Sequence, residues 1–384
     1  MTGIISNQTE LTALCAELAQ GPYFTIDTEF LRDKTYYPQL CLIQVASPGG
    51  EPKAIDPLMD GIDLAPLLTL LADEKILKVF HAARQDLEIF FNIMGKVPHP
   101  IFDTQVAAMV CGFGESIGYY SLVADICGVH LDKGAQFTDW SRRPLSKKQM
   151  LYALDDVTYL RDIYEGLAEK LEKTGRTTWL KQEMEILTSK ETYENKPEDS
   201  WERIKVRTDK PKVLAVLREV AAWREREAQS RDVPRQRIVK DEVLADMAIH
   251  PPETAEELGK IRGLSPDFAR GKMGKGLLEA ALKGLATPPK DCPHVERRPK
   301  FPSDMTPTLE MLKMLLRIQC SEQGVAPKLV ANGEDLEAFI MNPEGNSPLL
   351  KGWRNEIYGQ VARKLLAGKI ALCLKDKQIT RMDL

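Results

Sequence analysis

Along residues 1–170, short apolar runs of strand character alternate with segments whose apolar positions recur at helical spacing. Tyr23-Phe-Thr-Ile-Asp27 is β-branched and aromatic and predicts a strand. Residues 40–46 predict a second, 54–56 a third after the Gly49-Gly50 turn, and 76–80 a fourth. Residues 64–71, 86–94, 105–111, 121–127 and 146–171 predict helices, the last opened by Ser146 as N-cap. Strands and helices mixed in this order predict an α/β domain over residues 1–195, a mixed sheet with flanking helices.

A polar stretch at 191–199 ends that domain. From about residue 211 the pattern is all-helical, in two blocks at 205–288 and 306–384. Between them, 289–305 is rich in proline, which resists helix continuation, and reads as a linker. The two blocks align as distant copies. Asp232-Val-Pro-Arg-Gln-Arg-Ile-Val-Lys-Asp-Glu-Val-Leu244 meets Gly324-Val-Ala-Pro-Lys-Leu-Val-Ala-Asn-Gly-Glu-Asp-Leu336 without gaps. A long helical pattern precedes each stretch and a Gly/Lys-rich one follows, so an internal duplication is expected.

Composition narrows the class. A chain of 384 residues suggests two or three domains with an ordinary interior. No apolar run reaches membrane-spanning length, and the start, Met1-Thr-Gly-Ile-Ile, lacks the pattern of a secretory leader. Seven dispersed cysteines without a C-x-x-C pair read as reduced thiols in a cytosol, with no zinc site; a monomer is expected, with no motif to fix the oligomeric state. Net charge is −4, but its distribution is uneven. Residues 1–200 carry 19 Lys and Arg against 30 Asp and Glu, whereas 201–300 carry 22 against 16. The basic middle is either ordinary solvated surface or a grip on a polyanion.

The chemistry sits in five residues on three separated segments. Asp27 and Glu29 are two apart on a predicted strand, so both side chains leave one face. Tyr152 and Asp156 are four apart on a predicted helix and are neighbours there, while Asp155 points elsewhere. Asp86 opens a helix after a predicted strand. If these segments meet, four carboxylates converge, and two charges ~4 Å apart repel by about 4 kcal/mol at an effective dielectric of ~20. Divalent cations turn that repulsion into ligation, because carboxylate oxygens are the ligands Mg²⁺ and Mn²⁺ prefer. Two such ions are sufficient to cleave a phosphodiester, with the Tyr152 hydroxyl holding the attacking water. Each pair alone is common in proteins, and only the ordered combination is specific.

That combination resembles the DEDD exonuclease superfamily, in the subgroup with tyrosine in its third motif. Asp27-Thr-Glu-Phe30, the strand from Gln39 to Ala46, His81-Ala-Ala-Arg-Gln-Asp86, Phe102-Asp-Thr104 and Thr138-Asp-Trp-Ser-Arg-Arg-Pro-Leu-Ser146 running into Tyr152-Ala-Leu-Asp-Asp-Val157 are similar to the bacterial ribonuclease D family. The helical blocks resemble the helicase-and-RNase-D C-terminal (HRDC) domain, with Lys351-Gly-Trp-Arg354 like its Gly-Trp-Arg turn. The resemblance implies an RNase H-like sheet followed by two all-α HRDC-like domains. It also implies two divalent ions, Mg²⁺ or Mn²⁺, and 3′→5′ hydrolysis of RNA to 5′-mononucleotides, chiefly of transfer-RNA precursors. Asp27, Glu29, Asp86 and Asp156 become metal ligands and Tyr152 the water-orienting group. Gln85 stands where the superfamily often has an aromatic residue, and Phe137 where many relatives are basic.

Several residues carry two readings. His81 either reaches the scissile phosphate or closes its strand with a structural hydrogen bond. Asp103 is a fifth ligand or a helix cap. Trp140, with Arg142 and Arg143, grips a nucleotide chain or anchors the core. Arg235 and Arg237 contact phosphates or sit at a solvated helix end. Phe30 and Tyr36 wedge terminal bases or pack internally. The rival functions are a DNA 3′ exonuclease and a binding scaffold without catalysis.

Overall fold

The computed structural model describes residues 3–295 and 300–384; residues 296–299, within the expected linker, lie outside the described residues. Among the described residues, eighteen α-helices, six short 3₁₀ or π turns and eight strands follow one another. The sheet is built from β1 (Ile4–Ile5), β2 (Tyr23–Leu31), β3 (Gln39–Ala46), β4 (Lys53–Ile55), β5 (Leu77–Phe80) and β6 (Ile101–Asp103), in the order β1-β4-β3-β2-β5-β6. β3 and β4 pair antiparallel, while β1–β4, β2–β5 and β5–β6 pair parallel, so the sheet is mixed as expected. Its helices are α1 (Gln8–Leu18), α2 (Ala65–Leu71), α3 (Arg84–Met94), α4 (Thr104–Val110), α5 (Tyr119–Cys127), α6 (Lys147–Lys173) and α7 (Thr177–Leu187). The central strand β3 has Cys41, Leu42, Ile43 and Val45 fully buried, as a strand covered on both faces requires. Ser146 caps α6 in a capping box with Gln149.

Next come α8 (Pro211–Arg231), α9 (Arg235–Ile238), α10 (Asp241–Ile249), α11 (Ala255–Leu258), α12 (Pro266–Arg270) and α13 (Lys272–Ala286). They close over a core that includes Leu217, Val220, Leu244, Met247 and Leu277. The last block holds α14 (Thr306–Gln323), α15 (Pro327–Val330), α16 (Gly333–Met341), α17 (Gly352–Arg354) and α18 (Gln360–Leu366), over Leu312, Leu315, Phe339, Trp353 and Tyr358. The two blocks repeat the same order of helices in the backbone. α8 and α14 end on left-handed residues, Asp232 and Gly324, which the gapless alignment pairs. The short helices α9 and α15, and then α10 and α16, begin and end at aligned positions.

The second block departs from an all-helical expectation in one element. It closes with the antiparallel hairpin β7 (Ile370–Lys375) and β8 (Gln378–Asp383). Asp376 and Lys377 form its two-residue turn, both at positive φ, the geometry that Asn-Gly or Asp-Gly usually signals and that is spelled differently here.

By internal contacts the chain divides into two units, one of Met1–Glu29, Cys41–Ser189 and Pro299–Leu384, the other of Phe30–Leu40 and Lys190–Arg298. Within the first, the last helical block is docked on the sheet domain. Trp179 of α7 stacks on Trp353, ring centroids 4.8 Å apart and 11° from parallel. Arg354 Nη2 donates to Glu183 Oε2 at 2.9 Å and lies 2.8 Å from Oε1, an ion pair with both side chains largely buried. Arg176 donates to the carbonyls of Val110, Gln323 and Gly324. Removing one member of a buried ion pair strands the other charge away from water and costs about 3 kcal/mol. Arg354→Ala should therefore destabilise this unit by about that amount in urea unfolding followed by tryptophan fluorescence. An unchanged midpoint would show that the docking contributes nothing to stability.

Candidate active site

β2 carries Asp27 and Glu29 on one face, and α6 carries Tyr152 and Asp156 one turn apart. Two hydrogen bonds hold strand and helix in register. The buried Thr25 hydroxyl donates to the Val157 carbonyl at 2.8 Å, next to Asp156 in the chain, and the Tyr23 hydroxyl donates to Glu165 Oε1 at 2.6 Å. The remainder of the inward face of α6, including Val157, Leu160, Ile163 and Leu167, is core. The helix is thus fixed by packing along its length, and its first turns present the site.

Carboxylate oxygens of Asp27, Glu29 and Asp156 all lie within 4.8 Å of one another. Asp86 stands beside this trio. It sits in the first turn of α3, buried, and its Oδ1 accepts from the hydroxyl of Thr28, between the two β2 acids. The turn before α3 is held by Asp103. Its carboxylate accepts from the backbone N–H groups of Ala82 and Ala83 at 3.0 and 2.8 Å, and it caps α4 through Gln105 and Val106. That clamp keeps Ala82 at a φ of 57, a left-handed conformation unusual for alanine. Asp103 is therefore cap and clamp in the structure.

The acids of the cluster raise one another's proton affinities. Burial first, then the charges of Asp27, Asp156 and Asp86, push the Glu29 carboxyl up to about 10. Asp156 is raised to about 9 by burial, then by Asp27 and Asp155, against the pull of the Tyr120 and Tyr152 hydroxyls. Burial lifts Asp27 to about 7, and burial with the Asp27 charge holds Asp86 well above the ordinary carboxylate range. Four acids brought together offer all-oxygen donors, a set that fits hard divalent cations. Tyr152 is held protonated, by burial first and by the Asp156 charge second.

One residue of this site carries no motif. The Tyr120 hydroxyl donates to Asp156 Oδ1 at 3.4 Å and lies in hydrogen-bonding reach of the Tyr152 hydroxyl. Its ring is 6.1 Å from that of Tyr152, and Lys133 Nζ lies over it, 5.1 Å from the centroid. Nothing in the Tyr119-Tyr120 pair distinguishes it in sequence from core aromatics; the packing of α5 on α6 makes the contact. Losing one hydrogen bond of about 1 kcal/mol corresponds to roughly a fivefold effect. Tyr120→Phe should lower kcat by about that factor with KM unchanged, read in steady-state kinetics; an unaltered kcat would leave Tyr120 a packing residue.

The other candidates fall elsewhere. Trp140 is 2% exposed and packs on the Tyr152 ring at 5.9 Å, so it supports the site from the core and presents no face to a nucleotide. Arg143 grips the buried Asp56 with two bonds of 2.5 and 2.7 Å and also binds the Cys41 carbonyl. Arg142 is exposed and paired with Asp139. His81 is turned to Thr104 Oγ1 at 2.9 Å and to the Tyr119 ring. Arg235 is tied to the buried Glu225, Tyr36 binds the same carboxylate, and Arg237 is exposed. Phe30 is half-buried at the end of β2.

A mixed sheet that carries this acid cluster, followed by a helical module, defines a 3′→5′ exonuclease with an accessory domain. Residues 2–172 match the family model described as a 3′-5′ exonuclease, and residues 213–281 match that of the HRDC domain. The chain belongs to the ribonuclease D family of 3′→5′ exoribonucleases. It is 47% identical over 380 residues to Ribonuclease D of Nitrobacter hamburgensis, covering 99% of each chain. It is also 47% identical over 380 residues to that of Sphingobium indicum, covering 98% of this chain and 97% of the other. Its structure resembles the crystal structure of Escherichia coli RNase D with a TM-score of 0.81 at 33% identity, covering 96% of this chain and 99% of that one.

Proposed function

We propose that this enzyme removes 5′-mononucleotides one at a time from the 3′ ends of structured RNAs, transfer-RNA precursors with 3′ trailers above all, as a monomer. The reading rests on one observation: a strand and a helix locked together place three carboxylates within 4.8 Å, with Asp86 alongside. Asp27, Glu29, Asp86 and Asp156 are the residues to hold two divalent ions, Mg²⁺ or Mn²⁺. Such a pair, when bound, activates a water and stabilises the leaving oxygen of the phosphodiester. The remaining work belongs to the chain. Tyr152, kept as the phenol, offers a hydrogen bond beside Asp156 that orients the attacking water. Tyr120 holds Tyr152 and Asp156 in place, and Trp140 backs the Tyr152 ring.

Support for a structured substrate comes from the basic middle of the chain, where the HRDC model matches. The Escherichia coli relative is an exoribonuclease involved in structured RNA processing. The test is a 5′-labelled, 3′-extended transfer RNA incubated with Mg²⁺ or Mn²⁺ and then with chelator. Stepwise mononucleotide release that chelator abolishes is the expected result. Equal turnover of the corresponding DNA would shift the reading to a DNA exonuclease, and no release with either ion would end it.

A further inference from the structure

Phe137 is 95% exposed, the most exposed large apolar side chain among the described residues. A single apolar residue at a surface is ordinary, so exposure alone decides nothing. Its place in the chain carries more. Phe137 belongs to the loop 133–139, between α5 and α6, and both flanks of that loop rest on the tyrosines of the acid cluster. On one side Lys133 Nζ lies over the Tyr120 ring, 5.1 Å from its centroid, and the Tyr120 hydroxyl reaches Asp156. On the other, Trp140 packs on the Tyr152 ring at 5.9 Å. Phe137 precedes Trp140 by three residues, and three residues of chain span at most about 11 Å. The exposed ring is thus tethered close to the acids and tyrosines of the site.

The loop is braced. The backbone N–H groups of Gln136 and Thr138 donate to the carbonyls of Lys133 and Ala135, each at 3.2 Å. The Thr138 hydroxyl donates to the Ala135 carbonyl at 2.8 Å and accepts from Gln149 Nε2 of α6 at 3.1 Å. Lys148 of α6 pairs with Asp132 at 3.0 Å. Ala135 and Trp140 are each 2% exposed, so the segment turns apolar groups inward on either side of Phe137 and leaves that ring in water. The fold forgoes the gain of burying it. An aromatic face held out on a fixed loop, with the exposed Lys133 and Lys148 beside it, has the composition of a single-strand grip: the ring stacks on a base and the cations meet the phosphates. An apolar protein surface is the rival partner. The short tether to a centre suited to phosphodiesters favours the base.

We propose that Phe137 stacks on a base near the 3′ end of the bound RNA, a reading that rests on the RNA substrate proposed above.

The test uses full-length protein in chelator, which stops cleavage, and a 3′-extended transfer RNA whose last few nucleotides are made abasic one at a time. Phe137→Ala should bind the intact RNA about tenfold more weakly, within the range of base–aromatic stacking. In the parent, one abasic position should cost about the same factor, and in Phe137→Ala that position should cost nothing further. Phe137→Trp should keep the parent's affinity, whereas Phe137→Leu, apolar but without an aromatic face, should not. Affinity kept by Leu as fully as by Trp would overturn the stack. So would parent-like affinity of Phe137→Ala for every RNA in the series, which would point to a protein surface as the partner. Failure of the nuclease reading looks different. Metal-dependent hydrolysis of a nitrophenyl ester of thymidine 5′-monophosphate by the parent, run in parallel, reports the catalytic centre. Its absence would count against that reading, while the abasic series would still decide Phe137; a parent that binds no RNA would overturn both.

Discussion

Asp27→Asn should reduce kcat on 3′-extended RNA by about a thousandfold or more. The substitution keeps the shape and one oxygen of the side chain but removes the charge at the centre of the cluster. Asp27 raises its neighbours' proton affinities, acting on Glu29, Asp86 and Asp156 alike, so it is the acid that all the others feel. A site that can no longer neutralise its cations loses several kcal/mol of transition-state stabilisation, and each 1.36 kcal/mol is tenfold in rate. Binding is expected to behave differently. Strand and helix remain tied through Thr25 and Tyr23, so RNA affinity in chelator should stay within about twofold of the parent's. Single-turnover kinetics and filter binding on the same preparations separate the two quantities. A variant within tenfold of the parent in kcat would remove Asp27 from the catalytic centre.

The acid cluster was legible because two local periodicities carried it. Asp27 and Glu29 share a face by the strand repeat, and Tyr152 and Asp156 by the helix repeat, so each pair was placed before any tertiary information. Asp86 was less legible. Its place depends on Asp103 clamping a left-handed Ala82, a contact between distant segments that has no local pattern. Tyr120 was invisible for the same reason. Trp140 and Arg143 drew attention as nucleotide ligands because exposed and buried aromatics, or free and paired arginines, look alike in sequence. The burial of Trp140 and the buried Asp56 opposite Arg143 decide between them.

The same holds for whole elements. The repeated order of the two helical blocks was readable because capping positions recur where side chains diverge: Asp232 and Gly324 both supply the left-handed residue. Helix α1 carries a local signal of its own, with Asn7 as N-cap and Leu11, Leu14, Cys15 and Leu18 on its buried face. The terminal hairpin had almost none, since its turn uses Asp376-Lys377 in place of a glycine.

The second large effect is on stability, and it reverses sign with metal. Asp27, Asp156 and Glu29 have folded-state values of about 7, 9 and 10, and Asp86 is raised as well. Unfolded, Asp and Glu titrate near 4. The folded state therefore keeps protons that the unfolded state has released. Protonation stabilises the metal-free fold fully below about pH 4, and that contribution is lost as pH rises through about 7 to 10. Because the acids interact, the loss is spread over this window as macroscopic steps of the cluster. Ion binding must displace the same protons, so it strengthens as pH rises. At a free concentration of about 100 times its dissociation constant, an ion contributes about 2.7 kcal/mol. In chelator the melting temperature should fall between pH 6 and pH 9, and the increment given by Mn²⁺ should grow over the same range. Taking the difference with and without Mn²⁺ at each pH cancels titrations remote from the site. Asp27→Asn, with one charge fewer, should flatten the chelator curve and reduce the Mn²⁺ increment by more than half. An increment that is constant across pH would mean that the ion does not replace protons on these four acids, and the cluster would not be its site.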